Sequence, residues 1–97
     1  MEIIQKAQAG SFESSDILIL AEPNTEGEGR KIELESGVYK QYAQQILDLI
    51  HEQLDLFKIQ DIHLKINDKG AITPVIQARM QTVLLRALGK QEGTLYK

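Results

Sequence analysis

The chain has 97 residues, of which 42% are hydrophobic and 26% charged, with a net charge of -3 and no cysteine. That length suits one domain around one core, and the composition is that of an ordered globule. The acidic balance leaves no footprint for nucleic acid or an anionic membrane, and without cysteine there is no disulfide, cysteine-rich zinc site or thiol nucleophile.

No window approaches the ~20 apolar residues of a membrane span, and Met1 to Lys6 lacks the apolar core of a secretory signal. A cytoplasmic, single-domain protein is expected. Gln5 to Phe12, with small residues at Ala7, Ala9 and Gly10, reads as a strand. Glu13 to Ser15 reads as a turn, because serine and acidic side chains bond locally to backbone. Asp16 to Glu22 is a short run of isoleucine and leucine closed by Pro23, and its length favours a buried strand. The two strands form a hairpin with Ser14 and Ser15 near its tip.

Pro23 to Gly29 is a loop, with proline removing a ladder donor and two glycines permitting positive φ. Arg30 to Glu35 alternates, with Ile32 and Leu34 on one face, as a strand antiparallel to the one before it. Ser36 is placed to cap a helix, along which Val38, Tyr42, Ile46, Leu49, Ile50, Leu54 and Phe57 draw one apolar stripe. Asp61 to Asn67 returns to period two, with Ile62, Leu64 and Ile66 inward and His63, Lys65 and Asn67 outward. Thr73-Pro74 suggests an N-cap followed by proline at the first helical position. Ile76, Met80, Val83, Leu84, Ala87 and Leu88 then face inward, and Gly89 fits a left-handed C-cap. Lys90 to Lys97 is expected to be a flexible tail.

The order β-β-β-α-β-α predicts an α+β domain. Its first three strands form a meander, its fourth lies parallel to the third, and both helices pack on one face of a small mixed sheet.

Candidate chemistry is sparse. His51 and His63 are not at ligand spacing and read as surface histidines. Tyr39 and Tyr42 are explained by packing and capping, and the acidic pairs Asp48/Glu52 and Glu33/Glu35 by solvated faces. Gly27 and Gly29 precede a strand beside acidic residues, unlike a phosphate-binding loop. Arg79 and Arg86, one heptad apart, either snorkel over the core edge or form a cationic strip for a phosphate or for a partner's carboxylates. Ser14 and Ser15 have no histidine near in sequence to act as base, so a serine-hydrolase reading has no local support. An autonomous enzyme is disfavoured because no nucleophile-base pair or metal cluster is visible.

Two blocks nevertheless resemble a known family. Ala9-Gly10-Ser11-Phe12-Glu13-Ser14-Ser15-Asp16 is similar to the attachment motif of the acyl carrier (gamma) subunit of citrate lyase. Asp68-Lys69-Gly70-Ala71, Gln77-Ala78-Arg79-Met80 and Leu84-Leu85-Arg86-Ala87-Leu88-Gly89 agree with it. The resemblance implies that Ser14, rather than its neighbour Ser15, carries 2'-(5''-phosphoribosyl)-3'-dephospho-coenzyme A through a phosphodiester. It implies a non-catalytic subunit whose tethered thiol carries acetyl and citryl groups between a transferase (alpha) and a lyase (beta) subunit during citrate cleavage. A prosthetic-group transferase is the further implied partner. The thiol of such an arm agrees with the absence of cysteine. The Asp-Ser-Leu motif of helical phosphopantetheine carriers is absent, and Glu13 and Asp16 are unexpected neighbours for a phosphodiester. The alternatives are the carrier of malonate decarboxylase, which uses the same type of arm, and a noncovalent interaction domain docking through its helix stripes and arginines.

Overall fold

The computed structural model describes residues 2–37 and 40–89. Its elements are β1 (Ala7–Ala9), β2 (Ile17–Glu22), β3 (Arg30–Ser36), α1 (Lys40–Leu56), β4 (Ile62–Asp68) and α2 (Thr73–Ala87). The expected order of elements and α+β class are borne out, with a four-stranded sheet in the spatial order β1-β2-β4-β3.

The sheet corrects the expected meander. β1 and β2 form the antiparallel hairpin, in the register Ala9↔Ile19 and Ala7↔Ala21. β3 does not pair with β2, because β4 lies between them, antiparallel to β2 and parallel to β3. The physical reason is in the side chains. Ile62, Leu64, Ile66 and Asp68 make β4, like β2 with Ile17, Ile19 and Ala21, a strand with every inward position buried, as a central strand requires. β3 alternates only between half-buried and exposed residues, which suits an edge. β1 is also shorter than Gln5 to Phe12.

Alternation places Ile17, Ile19 and Ala21 of β2 in one core with Ile62, Leu64 and Ile66 of β4, Ile46, Ile50 and Leu54 of α1, and Ile76, Met80, Val83 and Leu84 of α2. Both helices therefore cover the same face. No helix among the described residues is long and apolar enough to cross a membrane.

The helix ends refine the expectations. Ser36 is the last residue of β3, and its hydroxyl donates to Asp68 Oδ2 at 3.0 Å. The residues that it would cap include 38 and 39, so Val38 and Tyr39 lie outside the described residues, as does the expected tail at 90–97. Tyr42 is 47% exposed instead of joining the stripe. α1 closes with Lys58 at φ 55°, donating to Asp55 O, while Ile59 N donates to Leu54 O. This is a Schellman motif with lysine where glycine is commoner. In α2, Thr73 is the first helical residue and not the cap: Ile72 occupies that position without a side-chain capping bond, and Pro74 sits in the first turn. Gly89 adopts φ 73° just past the helix, as its position predicts.

Candidate functional site

The Gly10 to Asp16 loop joins β1 to β2 and is shaped by its two ends. Gly10 has φ 93°, and a Cβ there would stand 1.7 Å from the carbonyl oxygen of Ile17. Only glycine allows the chain to turn this close against β2. Asp16 N donates to Glu13 O at 3.1 Å, closing a turn whose central residues are Ser14 and Ser15. Ser15 takes φ 65°, the left-handed third position of a type II turn. The base of the turn is laced to the segment after β4: Ser15 N donates to Lys69 O at 2.8 Å, and Lys69 N donates to Asp16 O at 2.9 Å.

Asp16 is the electrostatic centre of the loop. Its Oδ1 accepts from Ile17 N at 2.7 Å and from Arg79 Nε at 3.0 Å. Its Oδ2 accepts from Ser11 Oγ at 2.7 Å and from Arg79 Nη2 at 3.0 Å. Arg79 reaches it from α2 as a two-pronged clamp, the geometry for which a guanidinium is suited. The hydrogen bond from Arg79, followed by that from Ser11, lowers the Asp16 carboxyl to about 2 against the opposing effect of burial. The carboxylate is ionised but neutralised, so Ser14 stands beside a compensated pair. The Asp16 that is unexpected beside a phosphodiester in sequence is thus accounted for in space. Glu13 remains exposed.

Ser14 and Ser15 are both exposed, and neither hydroxyl has a hydrogen-bond partner among the described residues. They differ in backbone, since the Ser15 amide is committed to Lys69 while Ser14 occupies the second position of the turn. Neither histidine belongs to this loop. His51 Nδ1 is 3.1 Å from Arg30 Nη1. His63 lies on the sheet face away from the helices, hydrogen-bonded to Glu33 and 3.5 Å from Glu22, which makes it a cross-strand link and not a free surface residue. Hydrogen bonding to His63 holds the Glu33 carboxyl below its usual value. Arg86 does not share the site with Arg79: its Nη1 donates to Gln8 O at 2.7 Å and ties α2 to β1. Gly27 and Gly29 donate their amides to Asp61 Oδ1, so that loop binds a carboxylate of its own chain. Among the described residues no cluster of His, Cys, Asp and Glu could hold a metal ion.

Two residues of the site escape a reading by sequence. Lys69 enters through its backbone, which no side-chain pattern announces. The Asp16–Arg79 clamp joins residues 63 positions apart, and its only local sign is an arginine beside an apolar stripe.

The chain matches, over residues 4–87, a family model described as "ACP: Malonate decarboxylase delta subunit (MdcD)". It is 42% identical over 92 residues to the citrate lyase acyl carrier protein of Latilactobacillus sakei subsp. sakei, covering 95% of this chain and 89% of the relative. The chain belongs to this acyl carrier family. A citrate lyase acyl carrier protein of Streptococcus uberis is 43% identical over 89 residues, spanning 92% of this chain and 86% of the relative. That of Halothermothrix orenii is 39% identical over 87 residues, spanning 90% of each. A chain in the crystal structure of a Pseudomonas malonate decarboxylase hetero-tetramer in complex with malonate superposes with a TM-score of 0.71 at 20% identity. That match covers 90% of this chain and 88% of the other, and it shows a shared fold. The family suggested by the two sequence blocks is borne out.

Proposed function

We propose that the chain is the acyl carrier subunit of citrate lyase and that Ser14 Oγ is the attachment point for 2'-(5''-phosphoribosyl)-3'-dephospho-coenzyme A. The observation that carries the reading is the Ser14 hydroxyl itself, exposed, without a partner among the described residues and at the tip of a turn pinned at its base. The surrounding residues fit such a group. The adjacent carboxylate is neutralised by Arg79, and the turn presents the hydroxyl to an incoming enzyme without rearrangement of the core. When attached, the group supplies a terminal thiol that carries acyl groups as thioesters. The chain contributes placement: Ser15, Asp16, Lys69 and Arg79 fix the root of the tether, and a fixed root sets the effective concentration at both partner sites. Those sites belong to the alpha (transferase) and beta (lyase) subunits, and a prosthetic-group transferase installs the arm.

Intact mass after co-expression with the modifying enzymes tests this. The wild-type chain and Ser15→Ala should both gain the arm, and Ser14→Ala should not. An adduct that persists in Ser14→Ala and disappears in Ser15→Ala refutes the assignment, and full partner function from unmodified protein would favour a noncovalent interaction domain.

A second reading, the carrier of malonate decarboxylase, is favoured by the description of the family model and by the fold neighbour. The identities of 39–43% to citrate lyase carriers against 20% to the malonate decarboxylase chain weigh toward citrate. Modified protein added to carrier-depleted extract should restore citrate cleavage and leave malonate decarboxylation unchanged.

A further inference from the structure

We propose that Lys69 and Arg79 form a phosphate-recognition site around Ser14, which holds the anionic linkage once the arm is in place. The inference deepens the Ser14 reading and rests on it. A guanidinium has five N–H donors, and Arg79 directs only Nε and Nη2 at Asp16. The rest of this 42% exposed side chain has no partner among the described residues. Lys69 is exposed, and its ammonium makes no ion pair among them either. Its backbone is bonded to Ser15 on one side and to Asp16 on the other, so it is fixed next to the turn. Two cationic residues thus meet the loop from separate elements, Arg79 through its guanidinium from α2 and Lys69 through its backbone from the segment after β4.

The charge balance shows what they lack. Asp16 is compensated by Arg79. Glu13 is an exposed acid on the same turn, and the nearby Asp68 is buried, accepting from Ser36 Oγ and from Ala71 N. A phosphodiester on Ser14 adds one further negative charge beside Glu13. The unused donors of Arg79, and the ammonium of Lys69 on its flexible four-carbon stem, are the groups available to meet it.

The test compares modified and unmodified full-length chains of the wild type, Lys69→Gln, Arg79→Gln and Asp16→Asn, reading the change in Tm on modification for each. Arg79→Gln and Asp16→Asn both break the clamp, so a clamp that serves only to hold the loop predicts the same change for both. Phosphate recognition predicts that they separate. Removing either cation should lower the change in Tm on modification by about 1 to 5 °C relative to the wild type, whereas Asp16→Asn should leave that change unaltered or raise it. Lys69→Gln, which leaves the clamp intact, gives the answer even where Arg79→Gln folds poorly. The phosphodiester 31P resonance should shift in both cation variants and not in Asp16→Asn. An unaltered difference in Tm and an unaltered resonance in Lys69→Gln and Arg79→Gln overturn the inference. So does a fall confined to the rate of modification, which would assign the cations to carboxylates of the transferase. An arm found on another residue of the wild type is a separate result that removes the Ser14 reading itself.

Discussion

Two polar loops of equal length, Gly10 to Asp16 and Pro23 to Gly29, follow strands of the same hairpin, and each is organised by one aspartate. In the second, Asp61 lies outside the loop and accepts the amides of Gly27 and Gly29, at 3.1 and 2.7 Å. Its holding bonds use backbone, and its one hydroxyl, that of Thr25, stands at the first position of the turn closed by Glu28 N and not at the tip. In the first, the aspartate belongs to the loop and is held by Arg79 from the far end of the chain. The backbone bonds go to Lys69, and the hydroxyls of Ser14 and Ser15 have no partner among the described residues. A loop can be held still in either way, but only the arrangement around Asp16 leaves a nucleophile at its tip.

The contrast is broken most severely at glycine. Gly10→Ala would drive a Cβ into the Ile17 carbonyl at 1.7 Å and impose a left-handed φ on alanine, and should cost more than about 3 kcal/mol. The same change at Gly27 meets nothing within 4 Å and should cost only about 1 kcal/mol, for the backbone conformation alone. Denaturant midpoints of the two variants measure the gap.

Next in size is the clamp. Arg79→Gln should destabilise the chain by about 1–2 kcal/mol, a figure discounted for the exposure of the arginine. The effect should depend on pH with a defined sign. The Asp16 carboxyl is depressed from 3.8 to about 2 on folding, so its stabilisation is complete above the unfolded value and is lost as pH falls through the folded one. Acid titration of stability should therefore show a slope that Asp16→Asn reduces, the remainder belonging to Glu33, whose carboxyl is also lowered. A slope of unchanged size in Asp16→Asn would remove Asp16 as its source. The smallest effect belongs to Asp61→Ala, which should cost about 1 kcal/mol by freeing two loop amides to water. It should leave modification of Ser14 untouched, as intact mass can show.

What the sequence disclosed follows the range of the forces involved. Period-two patterning marks β3 and β4, period-3.6 patterning both helices and a short apolar run β2, because burial writes itself into neighbouring residues, while β1 shows only small residues. The place of β4 between β2 and β3 was not disclosed. Strand adjacency is decided by which strand buries its inward positions most completely, and Arg30 to Glu35 alternates as cleanly as a central strand would. Thr73 looked like a cap because threonine favours that position, yet Ile72 holds it, with Pro74 setting the first turn. At the candidate site, the turn that holds Ser14 and Ser15 could be read locally, and the resemblance alone distinguished the two. The compensation of Asp16 could not be read, since its partner is 63 residues away.

The insertion of β4 has a further consequence, for the time at which the carrier can be loaded. As the chain leaves the ribosome, β1 and β2 can pair early, but the other edge of β2 waits for residues 62–68. The serine turn waits for Lys69 and then for Arg79. Its amino acids are made among the first and its shape is completed among the last. A transferase of the kind proposed, if it reads this shape, would discriminate between finished and unfinished chains without a separate checkpoint, and a chain truncated before α2 would present the same serine on a turn without its Arg79 anchor.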